Sequence, residues 1–159
     1  MNTRCTNSRT PVFLLVVCVL MVAGCKQSEQ SASGGDPVPD DLKIMFGLHG
    51  AEAGRDRGHS INADGEVIQW VGLYPEQNRQ ATGRADAEEV RRLWSHADSI
   101  GFLEMEEQVM AAAYWFISVS ANGESRRVTW VERDDSAPTP AQEFFDACSE
   151  VAQTALGKD

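Results

Sequence analysis

Tyr114-Trp-Phe-Ile-Ser-Val-Ser-Ala-Asn-Gly-Glu-Ser-Arg-Arg-Val-Thr-Trp130 reads as a β-hairpin, and the rest of the fold is worked out from it. Residues 113–121 alternate, with Trp115, Ile117 and Val119 on one face. Residues 124–132 return with Val128 and Trp130 on one face. Asn122-Gly123 between them tolerates the positive φ that a tight turn requires. An apolar sheet face needs a second layer to bury it, and the sequence beyond the loop 133–138 supplies one. Thr139 is an N-cap with Pro140 in the first helical position, and Gln142 completes a capping box. Phe144, Phe145, Cys148, Val151, Ala152 and Ala155 then form a helical stripe, and Gly157 ends it.

The same plan is found upstream. Residues 42–48 place Leu42, Ile44, Phe46 and Leu48 on one face of a strand, followed by a glycine-rich loop, 49–58. Residues 59–63 and 66–73 are strands joined at Asp64-Gly65, and 74–85 read as polar and irregular. Asp86 and Glu89 make a capping box at the positive end of a helix dipole. Val90, Leu93, Trp94, Ala97 and Ile100 form the stripe that follows, Gly101 suits a left-handed stop, and 102–110 are a short irregular piece. The expectation is one α+β domain over residues 41–159. It has an antiparallel sheet of about five strands, with two amphipathic helices packed on one face, in the order β-β-β-α-β-β-α. Trp70, Trp94, Trp115 and Trp130 all fall within these elements, which favours core or sheet-face positions over an aromatic ligand shelf.

The N-terminus is of another kind. Residues 1–10 carry Arg4 and Arg9 and no acid, and 11–22 are an almost unbroken apolar run. At ~1.5 Å rise per residue that run is short for ~30 Å of hydrocarbon, which favours a cleavable signal. Val22-Ala23-Gly24-Cys25 resembles the lipobox of bacterial lipoproteins: branched apolar, small, small, cysteine. The resemblance implies a signal peptide over 1–24, lipid on the Cys25 thiol and a membrane as partner. Two or three acyl chains anchor stably where one is marginal. Residues 25–40 have Val38 as the one sizeable apolar side chain and read as a solvated tether. Lys26 stands where aspartate signals inner-membrane retention in many Gram-negative bacteria. The expected address is therefore the cell envelope, on the outer membrane facing the periplasm if the source is Gram-negative.

Cleavage before Cys25 removes Arg4 and Arg9 and no acid, which takes the formal charge from −10 to −12. Such a surface repels phosphate backbones and disfavours nucleic acid as a partner. Cys5 and Cys18 leave with the signal and Cys25 is consumed by lipid. Cys148 then has no cysteine to pair with and, on an apolar stripe, reads as a buried thiol rather than a nucleophile. The loop 49–58 contains Arg55-Asp56-Arg57 but lacks the following helix and the Lys-Ser/Thr pair of a phosphate loop. Arg55 and Arg57 are the candidate binding residues, as cations on an acidic chain that suit charge-assisted hydrogen bonds to an acidic partner. The bland alternative is pairing with Glu52, Asp56 or another local acid. His49, His59 and His96 lack metal-ligand spacing and any carboxylate evidently beside them. No Gly-x-Ser-x-Gly elbow occurs, and Glu104, Glu106, Glu107 and Asp134-Asp135 lie in polar connections without a calcium-loop pattern. No catalytic residue, metal or cofactor is therefore assigned.

Residues 86–152 resemble the emfourin family of small metalloprotease inhibitors. The likeness lies in a helix ending Ile100-Gly101-Phe102-Leu103, the hairpin 114–130, and an acidic turn with Ala137-Pro138 before the last helix. Gly50-Ala-Glu-Ala-Gly54 is a fainter match to that family's first strand and loop, and the chain looks equally like envelope lipoproteins of the same shape. The resemblance implies the architecture, and by extension a peptidase-inhibiting activity. Lipidation and the Asp64-Gly65 hairpin depart from the family pattern, and the matching positions are core and turn residues that carry fold. Three functions are in play: a non-catalytic binding module recognising a protein or other envelope component, a peptidase inhibitor, and an enzyme acting on envelope material. The first is expected. For the anchor itself, wild-type protein should incorporate labelled fatty acid, and Cys25→Ser should accumulate as unprocessed or mislocalised precursor. A Cys25→Ser protein that matures and stays in the membrane fraction refutes the lipoprotein reading.

Overall fold

The computed structural model describes residues 37–52, 55–72, 74–75, 77–106, 113–131 and 139–157. The lipobox, the tether up to residue 36 and Asp134-Asp135 lie outside the described residues. In chain order the elements are β1 (Lys43–Glu52), β2 (Arg55–Asn62), β3 (Glu66–Val71), β4 (Arg79–Arg84) and α1 (Ala87–Ser99). A single 3-10 turn (Phe102–Glu104), β5 (Tyr114–Ala121), β6 (Glu124–Trp130) and α2 (Pro140–Ala155) follow. The strands form one antiparallel sheet in the order β4-β3-β2-β1-β5-β6. β1 is central. It pairs with β2 on one side and with β5 on the other, with Ile44 opposite Val119 and Phe46 opposite Ile117.

The α+β architecture is as expected, with six strands rather than about five and the order β-β-β-β-α-β-β-α. The additional strand, β4, lies in the stretch 74–85 that reads as irregular. It is an edge strand, Arg-Gln-Ala-Thr-Gly-Arg, with alternate residues exposed, so it has little apolar surface to bury and shows no hydrophobic alternation. Gly83 anchors it to the helix layer: a Cβ there would come 2.1 Å from the Ala155 carbonyl of α2.

The expected loop 49–58 is also corrected. β1 continues to Glu52 and β2 begins at Arg55, with Leu48 opposite Arg57, Glu52 opposite Arg55, and a register shift between. Gly50 and Gly58, two of the glycines that suggest a loop, are strand residues. Gly47 and Gly58 face each other across β1 and β2, and a Cβ on Gly58 would meet the Phe46 carbonyl at 2.3 Å and the Trp70 indole at 3.0 Å. They are glycine because backbone and indole need the space. The β2–β3 turn is longer than Asp64-Gly65 alone: Gly65 donates to the Asn62 carbonyl and takes the positive φ, as in a three-residue hairpin loop. Asn122 (φ 55°) and Gly123 (φ 77°) form the tight β5–β6 turn as the sequence indicates.

Both capping boxes are in place. The Asp86 carboxylate accepts from Glu88 and Glu89 backbone amides, and Thr139 Oγ1 accepts from Gln142. The helices bury Val90, Leu93, Trp94 and Ala97 of α1 and Phe144, Cys148, Val151 and Ala152 of α2 against Ile44, Phe46, Ile61, Val67, Ile117 and Val119. The opposite sheet face carries its own cluster, in which Ile68, Trp70, Tyr114 and Phe116 are buried beside Met45. No helix among the described residues is long and apolar enough to cross a membrane.

Val38 packs against the core, Leu42 donates to the Pro39 carbonyl, and the Asp41 carboxylate accepts from the amides of Asn122 and Gly123 at 2.8 Å each. These two amides hold the Asp41 carboxyl below its ordinary value of 3.8. A depressed folded-state pKa contributes stability in full above the ordinary value and loses it as pH falls through the lowered one. Asp41→Asn should therefore lower the melting temperature at neutral pH and flatten the acid limb of stability against pH. An unchanged acid limb would show that this contact carries no stability.

Candidate functional site

Between β1, β2 and α2 lies a groove of about 370 Å³. Its apolar part is Phe46 and Leu48 of β1, Trp115 of β5 and Phe145 of α2. Its polar part is Arg57 and His59 of β2, Gln69 of β3, and Ser149 and Gln153 on the turns of α2 after Phe145. These positions share one side of the sheet because side chains alternate: Arg57 is opposite Leu48, His59 opposite Phe46 and Gln69 opposite His59.

Phe145 organises the apolar half. Its ring meets Phe46, Trp115 and Trp130 edge-on, with centroids 5.5, 5.6 and 5.4 Å away. Such pairs contribute about 0.5–1.5 kcal/mol each beyond burial, so the groove wall is a rigid aromatic assembly. The Ser149 hydroxyl donates to the Phe145 carbonyl at 2.9 Å. Gln153 is exposed at the rim. Two other depressions are acidic. One lies by the chain's entry at Asp40, Asp41 and Asp64, and the other beneath the end of α1 at Asp98, Glu104 and Glu124.

Arg55 and Arg57 are alternate residues of β2, both exposed, and Arg57 lines the groove. They sit on a paired strand rather than in a flexible loop. Asp56, between them, faces the other side of the sheet. There it is buried, and its Oδ1 lies 2.7 Å from His49 Nδ1 and accepts from the Gly50 amide at 3.4 Å. His49 thus has the carboxylate partner that linear spacing did not reveal, and it stacks on Tyr114 with ring centroids 4.5 Å apart. Nearby, the Arg127 guanidinium lies 4.0 Å from the Phe116 ring centroid.

The three histidines do not converge. His49 is on one sheet face, His59 on the other, and His96 on α1 meets Phe144 edge-on. Glu104 is exposed. Among the described residues, no group of three or more His, Cys, Asp or Glu is placed to hold a metal ion.

The chain matches no protein-family model, and no curated protein matches it.

Sequence reasoning missed His59, Gln69, Ser149 and Gln153 as groove residues. Trp115 and Phe145 carried a signal, as aromatics on predicted apolar faces, but that signal is the same for core and for a groove wall. Cys148 is fully buried on α2, and desolvation pushes its thiol well above the ordinary value. With Cys5, Cys18 and Cys25 replaced by serine, the protein should titrate no thiol with a water-soluble disulfide reagent while folded and one in denaturant. Labelling of the folded protein would show that Cys148 is accessible.

Proposed function

We propose that this is a lipid-anchored, non-catalytic binding module of the cell envelope, which presents the groove at α2 to another envelope component. The observation that carries this reading is the groove's place on the sheet. The chain joins the fold at Val38 to Asp41, with Asp41 bound to the β5–β6 turn, whereas the groove lies around Leu48 and Arg57, toward the other end of β1 and β2. At ~3.3 Å per residue, β1 separates the two by about 20 Å. A tether joined at that end therefore leaves the groove on the far side of the domain. The segment 25–37 extends to at most about 45 Å, enough to place the domain clear of the headgroups.

Emfourin-like inhibition of a peptidase is the second reading. The observation favouring it is that the hairpin carrying the resemblance, 114–130, supplies Trp115 to the groove. Either way the groove is a recognition surface. With a photoreactive phenylalanine analogue incorporated in whole cells, the exposed position Gln153 at the groove should yield a discrete crosslinked product. The exposed position Arg91 on α1 should not. Equal yields from the two positions, or none from Gln153, count against the groove as the binding surface.

A further inference from the structure

We propose that the groove takes an acidic peptide segment of an envelope protein, with a carboxylate held by Arg57 and an adjoining apolar side chain laid on Trp115 and Phe145. This rests on the reading of the groove as the recognition surface and names the chemistry of its occupant. The argument begins with charge. The chain has 24 Asp and Glu against 14 Lys and Arg, and two other depressions among the described residues carry two or more acids each. Among the described residues lining the groove there is no carboxylate, while Arg57, His59, Gln69 and Gln153 all bring N–H donors. An acidic protein that keeps its own acids out of one concavity and puts donors there has a surface complementary to an anion.

The donors are placed by secondary structure. Arg57 and His59 alternate along β2 at about 7 Å, Gln69 is the cross-strand neighbour of His59, and Gln153 faces them from α2. Arg57, His59 and Gln69 also make contacts within the fold, which hold them in place; a guanidinium has five N–H groups and can serve a second acceptor. The aromatic floor gives the second half of the specificity. Inorganic phosphate or a lipid headgroup offers nothing to Trp115 and Phe145, whereas an acidic residue beside a leucine or phenylalanine fills both halves. An apolar floor with a few convergent polar groups is the usual composition of a specific site.

The test uses the mature lipoprotein in detergent micelles and the capped peptide acetyl-Ser-Leu-Glu-Phe-Ser-amide, followed by ¹H–¹⁵N shifts of the tryptophan indoles. Saturable binding that shifts the Trp115 indole is expected. It should weaken about tenfold when the peptide's Glu is replaced by Gln, the order of effect of losing one charge-assisted hydrogen bond. Arg57→Gln should weaken the Glu peptide similarly. Gln153→Glu, at an exposed position that leaves folding intact, should weaken it by placing a like charge at the rim. The proposal is overturned by equal affinity for the Glu and Gln peptides, by shifts confined to other indoles, by no binding at about 5 mM, or by full displacement with inorganic phosphate. If crosslinking from Gln153 succeeds while the peptide fails, the groove remains the recognition surface and the carboxylate reading alone falls.

Discussion

The pairing of β1 with β5 is the constraint on which the structure depends. Lys43 through His49 match Ser120 through Tyr114, which joins the first four strands to the last two in a single sheet. The register also aligns Ile44 and Phe46 with Val119 and Ile117, so that one continuous apolar face meets both helices. A slip of one residue would turn these side chains to the other face, where Met45, Tyr114 and Phe116 already pack with Ile68 and Trp70. Because apolar side chains lie on both faces of the central strands, the register is specified twice.

The same pairing creates the functional surface. The helices are held where α1 and α2 bury their stripes, and α2 reaches β4 at Gly83. The groove lies between β1, β2 and the flank of α2. Its chemistry follows from alternation along β2: Arg55, Arg57 and His59 face the helix side, while Asp56 goes to the opposite side to meet His49. Adjacent charges in the sequence are thus separated by the thickness of a sheet. The Arg-Asp-Arg triplet, which reads as a self-neutralising loop, becomes two cations on one face and, on the other, a buried Asp56 paired with a half-buried His49.

Local rules left clear marks in the sequence where one residue type answers one backbone need. Asp86 and Thr139 at the helix starts, Pro140 in the first turn, and Asn122-Gly123 in the β5–β6 turn all occupy the positions their chemistry suits. The period of Val90, Leu93, Trp94 and Ala97 defined a buried helix face. β4 left no such mark, because an edge strand with exposed polar residues satisfies its backbone through a neighbour and buries little of its own. Gly58 misled for a related reason: a glycine needed for close approach looks the same in sequence as a glycine needed for a turn.

The sequence by itself determined the fold class, the helix boundaries, the tight turn at Asn122-Gly123 and the burial of Cys148, because each follows from contacts within a few residues or from a periodic apolar pattern. The tertiary structure alone decided that residues 79–84 are a strand, that 49–52 and 55–58 are the ends of two paired strands, and that His49 belongs with Asp56. It also decided that Arg57 and His59 share a groove with Trp115 and Phe145, which lie roughly 60 to 90 positions away in the chain. These are facts of register and of long-range pairing, and neither is written in any local stretch of residues.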